Sequence, residues 1–244
     1  MKSFFFSFLI ILTGFTTQAQ APEIEWQKSY GGTNADFATS IRPTTDNGYI
    51  VAGETHSNDG DVSGNHGISD CWIVKLNNAG DLQWQRTFGG TGYDAARSIQ
   101  QTTDGGYIVA GGTRSDDGDI TDNHGGQDSW ILKLDSAGIL QWQRTFGGAG
   151  NEQAVSIQQT ADGGYITAGY SESTDGDVSG NHGSLDYWIV KLNNTGELQW
   201  QKSLGGSAGD SAHAIWQTTD GGYIIAGHSY SNDGDVSGHH GSTD

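Results

Sequence analysis

The chain has 244 residues, and Asp and Glu outnumber Lys and Arg by 29 to 11, for a formal charge of −18. That balance argues against nucleic acid and anionic membrane surfaces as partners, since both need basic patches. A single cysteine, Cys71, excludes a disulfide framework, and 39 glycines against 2 prolines indicate many tight turns, not a flexible linker.

Residues 1–21 read as a signal peptide. Lys2 supplies the positive start, Phe4 to Phe15 the apolar run, and small residues follow at Thr17-Gln18-Ala19 or Ala19-Gln20-Ala21. A signal anchor is the alternative, but the run is short for a hydrocarbon core of about 30 Å. No cysteine follows the cleavage region, which argues against a lipid anchor. The mature chain from residue 22 is then secreted or held at the cell surface, without inserting in the membrane.

From there a repeat takes over. Leu82 to Gly90 returns almost unchanged as Leu140 to Gly148 and Leu198 to Gly206, and Trp26, Trp84, Trp142 and Trp200 are each 58 residues apart (84 − 26 = 142 − 84 = 200 − 142). A fixed period of this size means an array of one structural unit. In the second unit, Ala95 to Gln101 alternates as a strand does. Thr102 to Gly106 contains an Asp-Gly step suited to a hairpin turn, and Tyr107 to Gly111 is a second strand rich in aromatic and β-branched residues. A polar loop, Ser115 to Asp128, leads to a third strand at Trp130 to Leu134. A tight turn at Asp135 to Gly138 precedes a fourth strand at Ile139 to Phe146. No stretch has a useful helical period.

Four antiparallel strands per repeat is the plan of a propeller blade, so the predicted fold is an all-β propeller over residues 22–244. A stacked β-solenoid or sandwich array is the alternative. Ala38, Ala96, Ala154 and Ala212 place the first strand of each unit innermost, and the repeated tryptophans should fill the wedge between blades. Ile24 to Tyr30 matches a fourth strand with no preceding partners, and the last unit stops at Asp244, before its third strand. The expectation is an incomplete array: an N-terminal fourth strand, three full repeats and a partial one, with further blades downstream.

The loop between strands two and three carries the candidate chemistry. In unit one, oxygen-bearing side chains fall at Asp59, Asp61, Ser63, Asn65 and Asp70, with Gly64 at the sixth position. This is the spacing of a calcium loop, in which alternate residues aim oxygens inward and glycine permits a sharp turn. The pattern recurs at Asp117, Asp119, Thr121, Asn123 and Asp128, where Asp122 replaces the glycine. It recurs at Asp175, Asp177, Ser179, Asn181 and Asp186, and at Asp233, Asp235, Ser237 and Asp244. Clustered carboxylates repel unless something neutralises them. Structural Ca2+ is one reading, and aspartates capping backbone amides is the other.

His66, His124, His182 and His240 share one loop position and are expected to hydrogen-bond within their own loops. Lys75, Lys133 and Lys191 repeat in strand three, where a structural ion pair is the expected role. The Gly-Gly segments such as Gly89-Gly90 lack a following helix, so a phosphate cradle is a poor reading. Residues that break the repeat, namely His56, Arg114, Glu172, His213, Trp216 and His228, are expected to lie scattered over different blades, with no assembled acid–base pair.

The motifs Gly105 to Gly111, Asp59 to Gly67 and Trp72 to Leu76 resemble those of secreted bacterial β-propeller repeat proteins associated with type IX secretion. The resemblance covers residues 24–244 and implies export and a binding or adhesion role, with no catalytic residues to carry over. Such proteins often end in a sorting domain, and none is visible here. The expected function is therefore a non-catalytic scaffold for an extracellular protein or glycan, with structural Ca2+ in its loops as one reading. A lectin-like protein and the propeller of a polysaccharide-degrading enzyme are the alternatives, the former drawing on Tyr93 and Tyr170 near the acidic face.

Overall fold

A computed structural model describes Ala21 and residues 23–244, so the expected signal peptide lies outside the described residues except for Ala21. Among them there are fourteen strands and no helix. β1 (Asp36–Pro43), β2 (Tyr49–Thr55), β3 (Asp70–Leu76) and β4 (Leu82–Phe88) form one antiparallel meander in sequence order. The second sheet is β5 (Asp94–Gln101), β6 (Tyr107–Thr113), β7 (Asp128–Leu134) and β8 (Leu140–Phe146). The third is β9 (Glu152–Gln159), β10 (Tyr165–Ser171), β11 (Asp186–Leu192) and β12 (Leu198–Leu204), and β13 (Asp210–Gln217) pairs with β14 (Tyr223–Ser229) in a fourth.

These sheets are propeller blades. Every pairing between strands within a blade is antiparallel, which excludes a parallel coil. The first strands β1, β5, β9 and β13 stand beside one another as expected, and Ala96, Ala154 and Ala212 are buried there. Side chains also stitch neighbouring first strands together. Thr39 Oγ1 donates to Ala96 O at 2.8 Å, and the Gln159 amide donates to Gln100 Oε1 at 2.7 Å.

The core lies between blades rather than within them. Ile50, Ala52 and Ile73 of the first sheet pack on Ile99, Val109, Trp130 and Leu132 of the second. Ile108, Ala110 and Ile131 then face Ile157, Val190 and Trp188 of the third. Both faces of β3, β7 and β11 are therefore buried, which is why these strands are apolar without alternation. The wedge tryptophans behave as expected: Trp84 meets Tyr107 of the next blade edge-on at 5.9 Å, and Trp142 meets Tyr165 at 5.8 Å.

Two details differ from the sequence reading. Ile24 to Tyr30 forms no strand, because no sheet stands there to pair with it. Trp26 still takes the wedge position, edge-on to Tyr49 at 5.8 Å. Each first strand also carries a bulge, which sets Thr39, Arg97, Val155 and His213 outside the ladder. The bulge presses the preceding carbonyl onto the second strand, so a methyl on Gly111 would lie 1.9 Å from Ala95 O. That approach explains the glycine repeated at Gly53, Gly111, Gly169 and Gly227.

Candidate functional site

The acidic loops and the Gly-Gly linkers share one face, and most of the loop oxygens have hydrogen-bond partners, whereas Oδ1 of Asp70, Asp128 and Asp186 is buried without one. Asp59 accepts from the Thr33 amide at 2.8 Å and the Thr33 hydroxyl at 2.9 Å, and Asp61 accepts from the Gly31 amide at 3.2 Å. The next loops repeat this one blade further on. Asp117 takes the Thr91 amide at 2.7 Å, Asp119 the Gly89 amide at 3.1 Å, and Asp94 the Gly90 amide at 2.8 Å. Asp175 takes the Ala149 amide at 2.8 Å, Asp177 the Gly147 amide at 3.2 Å, and Asp233 the Ser207 amide at 2.8 Å. The Asp235 amide itself donates to Gly205 O at 2.9 Å. Each Gly-Gly linker is thus an anion cradle filled by the chain's own carboxylates.

The remaining loop positions point elsewhere. Ser63 accepts from Gln85 Nε2 at 2.7 Å, Thr121 accepts from Gln143 Nε2 at 2.6 Å, and Ser179 accepts from Gln201. Asn65, Asn123 and Asn181 donate to the carbonyls of Thr55, Ser115 and Ser171, while Ser237 lines a cleft beside Asp235. Asp70, Asp128, Asp186 and Asp244 each accept from a histidine of their own loop, with His66, His124, His182 and His240 Nδ1 at 2.7, 2.6, 2.9 and 3.2 Å. The side chains of the first three loops that are hydrogen-bonded therefore go to different partners and do not converge on one point. No group of three His, Cys, Asp or Glu stands together as metal ligands among the described residues.

The sixth loop position needs a left-handed backbone, as the glycine there implied. Gly64, Gly180 and Gly238 have φ of 90°, 80° and 78°, and Asp122 adopts 64° in their place. Burial pushes the Asp70 and Asp128 carboxyls up, against the pull of their histidines. The repeated lysines form the expected ion pairs: Lys75, Lys133 and Lys191 Nζ reach Asp46, Asp104 and Asp162 at 2.8, 2.9 and 2.9 Å.

The repeat-breaking residues are not scattered as expected. His213 Nε2 and His228 Nδ1 are 2.8 Å apart with stacked rings, in a cleft of about 520 Å³ that also takes Glu172, Tyr170 and Tyr230. Glu172 is held by Asn151 Nδ2 at 2.6 Å. Arg114 lines a second cleft of about 330 Å³ with Arg97, Glu54, Tyr93, Gln127 and Gln153. His56 stands edge-on to Tyr93 at 6.4 Å, while Trp216 lies apart, 62 % exposed. Bulges account for part of this convergence, because Arg97 and His213 are the extra residues of their strands and so leave the alternation of their neighbours. Arg97, Glu54, Gln127 and Gln153 escaped the sequence reading. Their signal was available in their unlike counterparts one period away, Val155, Gly112, Leu185 and Ala95.

No family model matches the chain. It is 26 % identical over 164 residues to the regulatory protein FlaEY of Caulobacter vibrioides, a match covering 63 % of this chain and 17 % of that protein. Among solved structures, the Pan2 WD40 domain of Neurospora crassa superposes with a TM-score of 0.34 at 11 % identity, over 78 % of this chain and 60 % of that domain. Strand order and blade-to-blade packing define the fold. Over the described residues the chain is an all-β array of antiparallel propeller blades, three of four strands and a last sheet of two.

Proposed function

We propose that this chain is an exported, non-catalytic binding or adhesion scaffold that holds an extracellular ligand in the clefts between neighbouring blades. One observation carries the reading. The loop aspartates Asp59, Asp117, Asp175 and Asp233 and the wedge tryptophans are repeated from unit to unit, whereas most positions lining the two clefts differ in every unit. An array kept for stability alone has no reason to concentrate unlike charged and aromatic residues there. The partial likeness to a regulatory protein is in keeping with a role that needs no chemistry. The repeated aspartates serve this reading as fasteners.

A glycan and protein-ligand array probed with the purified chain tests it. Binding should fall when Arg114→Ala or His228→Ala is introduced and persist in Thr33→Ala, a change at a blade fastener. Binding indifferent to both cleft substitutions would overturn the reading.

A further inference from the structure

We propose that the cleft around Arg97 and Arg114 binds a sugar bearing a single carboxylate, such as a uronic acid at the end of a neutral glycan. This rests on the binding-scaffold reading and names the ligand class for one of its two clefts.

The two arginines are out of character for their surroundings. The chain carries 11 Lys and Arg against 29 Asp and Glu, and the strand-three lysines are buried in ion pairs. Arg97 and Arg114 instead share one cleft, at positions where the other units have Thr39, Val155 and His213, and His56, Glu172 and Tyr230. Neither serves the repeat's architecture. Their own contacts are slack: Arg97 Nη1 lies 3.5 Å from Glu54 Oε2, and Arg114 Nε is 3.4 Å from Gln127 Oε1. Two guanidiniums with most donors unspent suit the planar, two-oxygen face of a carboxylate.

The rest of the cleft suits a sugar. Gly112 stands where the other units have Glu54, Tyr170 and His228, and the Gln127 side chain packs over it, carrying its carboxamide into the cleft. Gln127 and Gln153 offer carboxamides, each able to donate and accept to hydroxyl groups. Tyr93, 51 % exposed, presents a ring to the apolar face of a pyranose. A volume of about 330 Å³ takes one or two sugar rings. The charge of −18 sets the limit, because it repels a polyanion far more strongly than a single carboxylate among neutral hydroxyls, which two arginines can offset.

Calorimetric titration of the full chain with methyl glucuronide, methyl glucoside and an acetylated aspartyl peptide tests this. The glucuronide should bind and the glucoside should not. Arg97→Ala and Arg114→Ala should each weaken binding about tenfold or more, with unchanged melting temperatures. Glu54→Gln, which removes the competing carboxylate, should tighten it severalfold. Equal binding of glucoside and glucuronide, binding that survives loss of both arginines, binding of the peptide alone, or no binding of any probe would each overturn the assignment. Array ligands still captured by the Arg97→Ala, Arg114→Ala chain and lost on His228→Ala would leave the scaffold reading standing without it.

Discussion

Replacing Asp104 by Asn should cost about 1 kcal/mol at neutral pH, and that cost should vanish in acid. Lys133 is 4 % exposed at its side chain, and its ammonium sits 2.9 Å from Asp104, whose side chain is 57 % exposed. Desolvation pushes the Asp104 carboxyl up. The Thr102 hydroxyl, the Lys133 ammonium and the Gly106 amide outweigh it and hold the group at about 2, against an ordinary 3.8. At 1.36 kcal/mol per pH unit that gap sets a ceiling of about 2.4 kcal/mol. More than half of the carboxylate is in water, so screening reduces the figure to about 1 kcal/mol. Because the folded value is depressed, the contribution is present above pH about 4 and is lost as pH falls toward about 2. Asn keeps an oxygen for Thr102 and Gly106, so only the charge is removed. Thermal melts at neutral pH should show the variant about 2–4 °C lower, with the gap closing near pH 2. Asp46→Asn and Asp162→Asn occupy the same place in other blades, where Lys75 and Thr160 respectively are the leading causes of a value of about 2. Their costs should add to about 3 kcal/mol in the triple variant. A gap that stays constant from neutral pH to acid would show that shape, not charge, is responsible, and would refute the reasoning.

Three further outcomes are expected. Gly111→Ala places a carbon 1.9 Å from Ala95 O and should cost about 2–3 kcal/mol or more in urea unfolding. Gly105→Ala meets nothing within 4 Å and bears only its φ of +83°, for about 1 kcal/mol; the reverse ranking would contradict the account of the bulge. Asp117→Ala, which frees the Thr91 amide, should cost about 1 kcal/mol, and EGTA should leave the melting temperature of the unmodified chain unchanged. A calcium-reversible fall on chelation would instead assign the loops to calcium. Burial, and then the Asp70, Asp94 and Asp119 carboxylates, push the Cys71 thiol well above its ordinary value, so a thiol reagent at about pH 8 should label it only once urea unfolds the chain.

The architecture was legible in the sequence because its signals are local. A 58-residue period, alternation along Ala95 to Gln101 and an Asp-Gly turn each involve near neighbours, and they define blades before any contact between blades is known. The histidine–aspartate pairs were legible for the same reason, since His66 and Asp70 are four residues apart. The loop carboxylates were not. Their spacing matches a calcium loop and an amide-capping loop equally well, and only the pairing of β5 with β6 brings Asp117 to the Thr91 amide, 26 residues earlier in the chain. The clefts lay further out of reach. Arg97 joins Arg114 in one cleft because a bulge takes it out of its strand's alternation. A bulge is a shift of pairing between strands, settled when two sheets twist and pack, so periodicity along the chain determines the blades while tertiary packing decides what stands between them.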